Sequence, residues 1–177
     1  MSQEGAIPTV GETVPDAAAP LVAPDGGVEE TSLGTLIADG PVLLCFYTLD
    51  FSPDCVEEWC AFRDFDWFAA GPVRVVGASK SGVGFHRRFI DRLSLGFPLY
   101  ADEDLALAEA FGVDYRAFGL FRRSRRSCFL IDETLTVRYR WLGDHWLDPT
   151  LAVPPVEEVY EGVQEALDLA EPETFGF

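Results

Sequence analysis

Apolar residues along this chain fall either into short continuous runs or into helical spacing. The runs at residues 42–47 and 73–78 have the length of strands, and the first is entirely apolar, as in strands buried on both faces. Between residues 56 and 70, apolar residues such as Trp59, Phe62 and Phe65 recur every three or four positions. This spacing predicts an amphipathic helix between the two strands.

The rest of the chain continues the pattern. Turn residues at 23–27 predict a hairpin near the start of the fold. A strand–helix alternation that ends in an antiparallel pair and a last helix is typical of a thioredoxin-like α/β fold, in which a central mixed sheet has helices on both faces. The further elements are predicted as helices over 83–93, 103–111 and 156–169, and as strands over 97–100, 127–132 and 136–141.

The length of 177 residues fits one domain with a sizeable core. Residues 1–19 are rich in Ala, Gly, Pro and acid without periodicity, which predicts a loosely attached acidic arm. We therefore expect an arm over 1–19, a thioredoxin-like domain over 20–170 and a short tail over 171–177.

The charge balance excludes some classes of partner. Thirty acidic against thirteen basic side chains give a formal net charge of −17 and a pI near 4.3, and Lys80 is the single lysine. Such a surface repels nucleic-acid phosphates and anionic membranes. The acid excess also predicts a halophilic source, because molar salt shortens the Debye length to ~3 Å and screens the self-repulsion. A generic acidic cytosolic protein is the alternative.

Four cysteines, at positions 45, 55, 60 and 128, indicate redox chemistry. The first thirty residues do not have the pattern of a secretory signal, and no apolar run has the length of a membrane span, so we expect a cytoplasmic protein with reduced thiols. Zinc binding is disfavoured, because no C-x2-C pair occurs and both histidines lie far from the cysteines in sequence. We expect no metal and no cofactor.

The turn that contains Cys55 carries the most specific signal. Ser52 is a good N-cap and Pro53 a good first helical residue, which places Cys55 in the first turn of a helix. Free backbone N–H groups and the helix dipole favour an anion there, so we expect the pKa of the Cys55 thiol to fall and its thiolate to be populated.

Three acids next to this cysteine, Asp54, Glu57 and Glu58, oppose the thiolate, so a cation from elsewhere in the chain is needed. Arg126, at the mouth of the strand over 127–132, is the best candidate. We expect its neighbours Arg122, Arg123 and Arg125 to pair with the acidic surface. We expect His86 to lie on a helix surface without acting as a base.

The other cysteines divide into two kinds. Cys60 lies five positions after Cys55, and on a regular helix this separates the Cα atoms by ~8–9 Å, beyond the ~7 Å that a disulfide allows. If the two pair, the first helical turns must unwind; otherwise Cys60 is a small buried apolar residue. Cys45 and Cys128 sit inside apolar strands, where we expect core residues.

Several short segments between residues 11 and about 165 resemble, in the same order, the peroxiredoxin family of the AhpC/TSA superfamily. They most closely resemble its Q-type branch, the bacterioferritin comigratory proteins. The resemblance implies a thioredoxin-like fold and a thiol peroxidase without a cofactor. The segments are Phe46-Tyr47, Ser52-Pro53-Asp54-Cys55, Glu58 with Cys60, Phe62-Arg63-Asp64, His86 with Phe89, Phe97-Pro98-Leu99, Ala110-Phe111-Gly112-Val113 and residues 126–132.

The family's motif, Pro-x3-Thr/Ser-x2-Cys, implies specific roles. Cys55 falls on the cysteine that attacks peroxide, Ser52 on the hydroxyl residue, Arg126 on the arginine and Cys60 on the resolving cysteine. Thr48 stands where the motif has proline, which puts the rate and the peroxide preference in question. The resemblance also implies a peroxide substrate, a thioredoxin-like reductant and a monomer or weak dimer.

Two other functions stay open at this point. A thioredoxin-like disulfide oxidoreductase normally has C-x2-C, whereas the spacing here is C-x4-C. A redox sensor or binding protein could keep the fold while Thr48 slows turnover.

Overall fold

The computed structural model describes residues 6–117, 119–144 and 152–170. In this part of the chain, seven strands form one mixed sheet and two more form a separate hairpin. The hairpin consists of β6 (Asp114–Ala117) and β7 (Phe121–Ser124). The sheet contains β1 (Ala18–Val22), β2 (Val28–Ser32), β3 (Val42–Phe46), β4 (Arg74–Ser79), β5 (Leu99–Ala101), β8 (Ser127–Ile131) and β9 (Val137–Leu142).

The sheet has the order β2-β1-β5-β4-β3-β8-β9. Strand β3 lies next to the parallel β4 on one side and the antiparallel β8 on the other. All five residues of β3 are buried, because both faces of the sheet are covered. A continuous apolar run is therefore required at this position, as the sequence pattern indicated.

Helices cover both faces of the sheet, which confirms the predicted fold class. On one face α1 and α5 pack on Leu44 and Phe46, and on the other face α2, α3, α4 and α6 pack on Leu43 and Cys45. None of the helices in the described residues is long and apolar enough to cross a bilayer. The helices are α1 (Leu33–Ile37), α2 (Pro53–Asp64), α3 (Asp66–Ala70), α4 (Val83–Leu93), α5 (Ala106–Ala110) and α6 (Val156–Ala170).

Helix α2 lies close against the sheet because β4 has a glycine below it. A Cβ atom at Gly77 would come within 2.5 Å of the buried Trp59 ring of α2. The indole therefore occupies the space that any larger residue of β4 would fill, and this contact fixes the height of α2 above the sheet.

The structure differs from the predicted elements at three places. The helix predicted over 56–70 is two helices, because Phe65 between them adopts an extended conformation with φ −91° and ψ 100° and its ring contacts Tyr160 of α6. Helix α1 and the β6–β7 hairpin were not predicted, since one turn of helix and a charged four-residue strand carry little periodicity.

The segment predicted as a loose arm is attached where the structure describes it. The Gly11 N–H donates to the Val137 carbonyl at 2.8 Å, and the Val137 N–H donates to the Glu12 carbonyl at 2.9 Å. Val14 is buried, and the boundary expected after residue 19 falls inside β1. Residues 1–5 and the tail over 171–177 lie outside the described residues, and the division into arm, domain and tail stays a prediction.

Candidate active site

The site lies where β3 ends and α2 begins. Ser52 is the N-cap residue by its backbone angles, Pro53 follows as the first helical residue, and Cys55 is in the first turn. The predicted side-chain cap is absent, since the Ser52 hydroxyl instead turns back and donates to the Leu49 carbonyl at 3.3 Å. When the Ser52 hydroxyl donates to the Cys55 sulfur instead of to this carbonyl, it lowers the pKa of the thiol.

Arg126 contacts the cysteine directly. It immediately precedes β8, and its Nη2 donates to Cys55 Sγ at 3.0 Å, with both side chains buried. Burial raises the pKa of the Cys55 thiol, and Arg126 offsets this only in part. The expected net lowering is wrong for the enclosed sulfur, because loss of water disfavours the thiolate more than the arginine and the helix start favour it.

The same guanidinium holds a buried carboxylate. Arg126 Nη1 donates to Glu58 Oε2 at 2.6 Å, and Glu58 is 1% exposed. Burial raises the pKa of Glu58 to about 7 although Arg126 lowers it. The sequence indicated three acids that oppose the thiolate, but Asp54 is half-buried and Glu57 exposed at the surface, so Glu58 is the one enclosed with the sulfur.

A second set of buried polar side chains lies beside the loop that precedes α2. His86 Nδ1 is 2.7 Å from Asp50 Oδ2, and Tyr47 Oη donates to Asp50 Oδ1 at 2.6 Å. The expectation that His86 lies on the helix surface is wrong, because residues 86, 89 and 90 share the face of α4 that packs on the sheet. The spacing of His86 with Phe89 and Ile90 was the available signal, whereas nothing in the sequence around Asp50 marked it.

The remaining thiols lie apart from the turn or deeper in the core. Cys60 is half-buried and, like the other three cysteines, is a free thiol. Cys45 and Cys128 are opposite each other in the β3–β8 register and fully buried, as predicted for core residues. Burial raises the pKa of the Cys45 thiol well above its usual range, and the neighbouring Cys128 adds to this.

Of the arginines near Arg126, Arg122 pairs with acids as predicted, whereas Arg125 donates to a backbone carbonyl and not to a carboxylate. Arg122 pairs with Asp114 at 2.9 Å and with Glu109 at 3.8 Å, and Arg125 donates to the Gly143 carbonyl at 2.9 Å. Among the described residues, no group of three or more His, Cys, Asp and Glu side chains is placed to hold a metal ion.

Thr48 leaves a polar atom in the wall of the site. It is 8% exposed, and its Oγ1 has no hydrogen-bond partner within the described ranges. A proline at this position would have no hydroxyl to satisfy, so the substitution adds a buried donor and acceptor close to the cysteine turn.

Comparisons with known proteins identify similar sequences and structures. A family model described as the AhpC/TSA family matches residues 10–140. The chain is 36% identical over 104 residues to a peroxiredoxin named bcp from Coxiella burnetii, covering 56% of this chain and 69% of that protein. The crystal structure of peroxidoxin BcpB from Mycobacterium tuberculosis superposes with a TM-score of 0.74 at 26% identity, covering 88% of this chain and 96% of that one.

A structure of the Xanthomonas campestris bacterioferritin comigratory protein, reported with insights into the alkyl peroxide reduction activity of that protein, has a TM-score of 0.70 at 23% identity. It covers 92% of this chain and 99% of that one, and at this identity it supports the fold alone.

Proposed function

The chain belongs to the AhpC/TSA family and is a thiol peroxidase, and we propose that Cys55 attacks the peroxide and Cys60 resolves the oxidised product. The observation that carries this assignment is the 3.0 Å contact from Arg126 Nη2 to Cys55 Sγ at the start of α2. Of the four cysteines, Cys55 is the one with a cation in contact and a helix start around it.

In the first step the Cys55 thiolate attacks one peroxide oxygen. The S–O bond forms and the O–O bond breaks, so that sulfur loses two electrons and becomes a sulfenic acid, while the distal oxygen leaves as water or an alcohol after it takes up the proton that the thiol released on ionisation. Arg126 Nη2 and the Ser52 hydroxyl lie next to the sulfur, where they stabilise the thiolate and the charge that develops on oxygen.

In the second step the Cys60 thiol attacks the Cys55 sulfenic acid, a disulfide forms and water leaves. Both residues belong to α2, so the first turn of this helix has to unwind before the sulfurs meet. A dithiol protein of the thioredoxin type then reduces the disulfide by exchange and returns both thiols.

The substrate is hydrogen peroxide or an alkyl hydroperoxide. Leu49 and Phe51, in the loop before α2, are 44% and 43% exposed and place apolar surface beside the cysteine turn. This surface supports organic hydroperoxides as substrates, in line with the activity named for the Xanthomonas campestris protein. A monomer or weak dimer in the cytoplasm of a halophile stays a prediction from sequence.

Peroxide consumption with a dithiol reductant tests the assignment in the wild type, Cys55→Ser and Cys60→Ser. Cys45→Ala serves as the matched control, because it removes a buried thiol of β3 that neither proposed step uses. We expect Cys55→Ser to be inactive, Cys60→Ser to stall after one turnover and Cys45→Ala to stay active. Peroxide loss in Cys55→Ser at the wild-type rate would refute the role of Cys55.

Mass spectrometry of the oxidised wild type tests the role of Cys60 separately. We expect a link between Cys55 and Cys60 within one chain. A link from Cys55 to Cys45 or Cys128, or one that joins two chains, would show that Cys60 does not resolve.

A further inference from the structure

The loop between β3 and α2 is held by buried polar contacts that the two chemical steps do not use. The side chains of Asp50 in this loop and His86 in α4 are both fully buried, and His86 Nδ1 is 2.7 Å from Asp50 Oδ2. Tyr47 Oη donates to the other carboxylate oxygen at 2.6 Å. We call the Asp50–His86 pair the clamp.

The clamp ties the loop to three other parts of the fold. The Asp50 N–H donates to Ser81 Oγ at 2.9 Å, in the connection between β4 and α4. His86 belongs to α4, and its Nε2 is 2.9 Å from the Tyr100 carbonyl of β5. The loop before Cys55 therefore moves only if contacts to the β4–α4 connection, to α4 and to β5 are released or carried along.

The clamp is a strong contact because a hydrogen atom must lie between its two side chains. A carbonyl only accepts, so His86 Nε2 carries the hydrogen towards Tyr100. At 2.7 Å one further hydrogen must lie between Nδ1 and Oδ2, which gives either an imidazolium facing a carboxylate or a neutral imidazole facing a protonated Asp50. In both forms the pair is neutral overall, and loss of one partner leaves the other buried without its hydrogen bond.

Backbone strain lies next to the clamp. Phe51 adopts the left-handed conformation with φ 64°, which residues with a Cβ adopt rarely. Its ring contacts Phe89 of α4 edge-on, with centroids 5.2 Å apart. A strained residue held between two anchors on α4 tends to relax when the anchors open.

The same loop supplies contacts to the reactive sulfur. The Leu49 backbone and the Ser52 hydroxyl both hydrogen-bond with Cys55 and favour its thiolate. These contacts exist only while the loop and the first turn of α2 are folded. The disulfide step needs the opposite, since Cys55 has to leave this turn to reach Cys60.

We propose that Asp50 and His86 are positioning residues that hold the Cys55 turn in its peroxide-reactive form and set how readily it unwinds for the disulfide step. This inference rests on the proposed function. Opening the clamp slows attack on peroxide and speeds disulfide formation, so the two rates change in opposite directions. A residue with only a structural role would lower both.

The two steps are measured by rapid mixing of reduced protein with peroxide, followed by Trp fluorescence and by trapping of the sulfenic acid. In Asp50→Ala and His86→Ala we expect the peroxide step to slow and the disulfide step to accelerate, each about tenfold, as for loss of a buried hydrogen bond to a charged group. Asp50→Asn restores both rates, because an amide accepts from Tyr47 and donates to neutral His86. Arg88→Gln, on the exposed face of α4, is the matched control and stays at wild-type rates.

If the alanine variants do not fold, Tyr47→Phe decides, since it removes one hydrogen bond to Asp50 and leaves the clamp in place; we expect a smaller shift in the same two directions. If both the peroxide step and the disulfide step slow in these variants, or if both keep the wild-type rate, the proposed role of the clamp is wrong, whereas the proposed peroxidase function still holds. A wild type that does not consume peroxide would instead overturn the proposed function.

Discussion

One arginine contacts both acidic groups of the site, a thiol and a carboxyl group. Arg126 directs Nη2 to the Cys55 sulfur and Nη1 to the Glu58 carboxylate, and all three side chains are buried. A planar guanidinium presents two separate nitrogens in a fixed fork, whereas the donors of a lysine ammonium all lie on one nitrogen, so a lysine does not reproduce this arrangement. The thiolate and the carboxylate therefore compete for one positive charge.

We expect Arg126→Lys to slow the peroxide step by about 100-fold, the lower end of the loss seen when one oriented donor of an anion site is removed. Arg125→Lys is the matched control, because Arg125 donates to the Gly143 carbonyl rather than to the site. The second-order rate constant for peroxide checks this, and an unchanged constant in Arg126→Lys would show that the fork geometry is not needed.

Glu58 predicts a dependence of stability on pH. Its pKa in the folded state is about 7, above its ordinary value of 4.5, because burial disfavours the charge. Between these two pH values the folded state binds a proton that the unfolded state has lost, and this difference stabilises the folded state. The stabilisation is full below pH 4.5, declines as the pH rises and is lost above pH 7. The shift corresponds to roughly 3 kcal/mol.

Urea unfolding at pH 5 and pH 8 measures this effect. We expect Glu58→Gln, which does not titrate, to lose less stability than the wild type between the two pH values, by a difference of about 2–3 kcal/mol. An equal loss in both proteins would mean that Glu58 is ionised throughout this range.

At the scale of elements, the site depends on how closely α2 approaches the sheet. Gly77 of β4 leaves room for the Trp59 ring, one turn after Cys55. A methyl group there would push α2 outward and move Cys55 relative to Arg126, which belongs to the sheet side of the contact.

We expect Gly77→Ala to lower the free energy of unfolding by about 1–3 kcal/mol, the usual range for overpacking a core, and to slow the peroxide step. Gly84→Ala is the matched control, because nothing lies within 4 Å of a Cβ atom at this helical position. There the alanine should stabilise by up to about 1 kcal/mol. Urea unfolding of both variants distinguishes the two effects, and equal changes would contradict the close packing of α2.

How far the sequence predicts these elements depends on the signal that each one carries. Strand β3 was evident because burial on both faces demands an unbroken apolar run, whereas the hairpin strand β7 has two arginines and no pattern. The position of Cys55 follows from the local residues Ser52 and Pro53. Its raised pKa does not, since enclosure of the sulfur is set by distant segments that the local sequence does not contain.

The clamp illustrates the same limit between elements. Asp50 and His86 are 36 positions apart and meet only when α4 packs beside the end of β3. The prediction of a surface position for His86 is wrong, although its helical spacing with Phe89 already places it on the buried face. Periodicity was the better guide here, because burial follows the face of the helix before it follows polarity.

The whole molecule carries a net charge of −17, and this predicts a dependence on salt. The Debye length falls from about 10 Å at 0.1 M salt to about 3 Å at 1 M, so repulsion between acidic side chains weakens. We expect thermal unfolding to shift to higher temperature between dilute buffer and molar potassium chloride. A Tm that does not rise with salt would contradict adaptation to high salt.

The way each edge of the sheet is protected affects the solubility of the protein at high salt. Strand β2 forms one edge and exposes Glu29 and Glu30, whose charge discourages pairing with another molecule only while it is not screened. At the opposite edge, residues 11–14 hydrogen-bond with residues 135–137 around the start of β9. Hydrogen bonds already made are not removed by ions, so this covered part of the edge resists aggregation at any ionic strength, whereas the charges that protect the β2 edge lose their effect in concentrated brine.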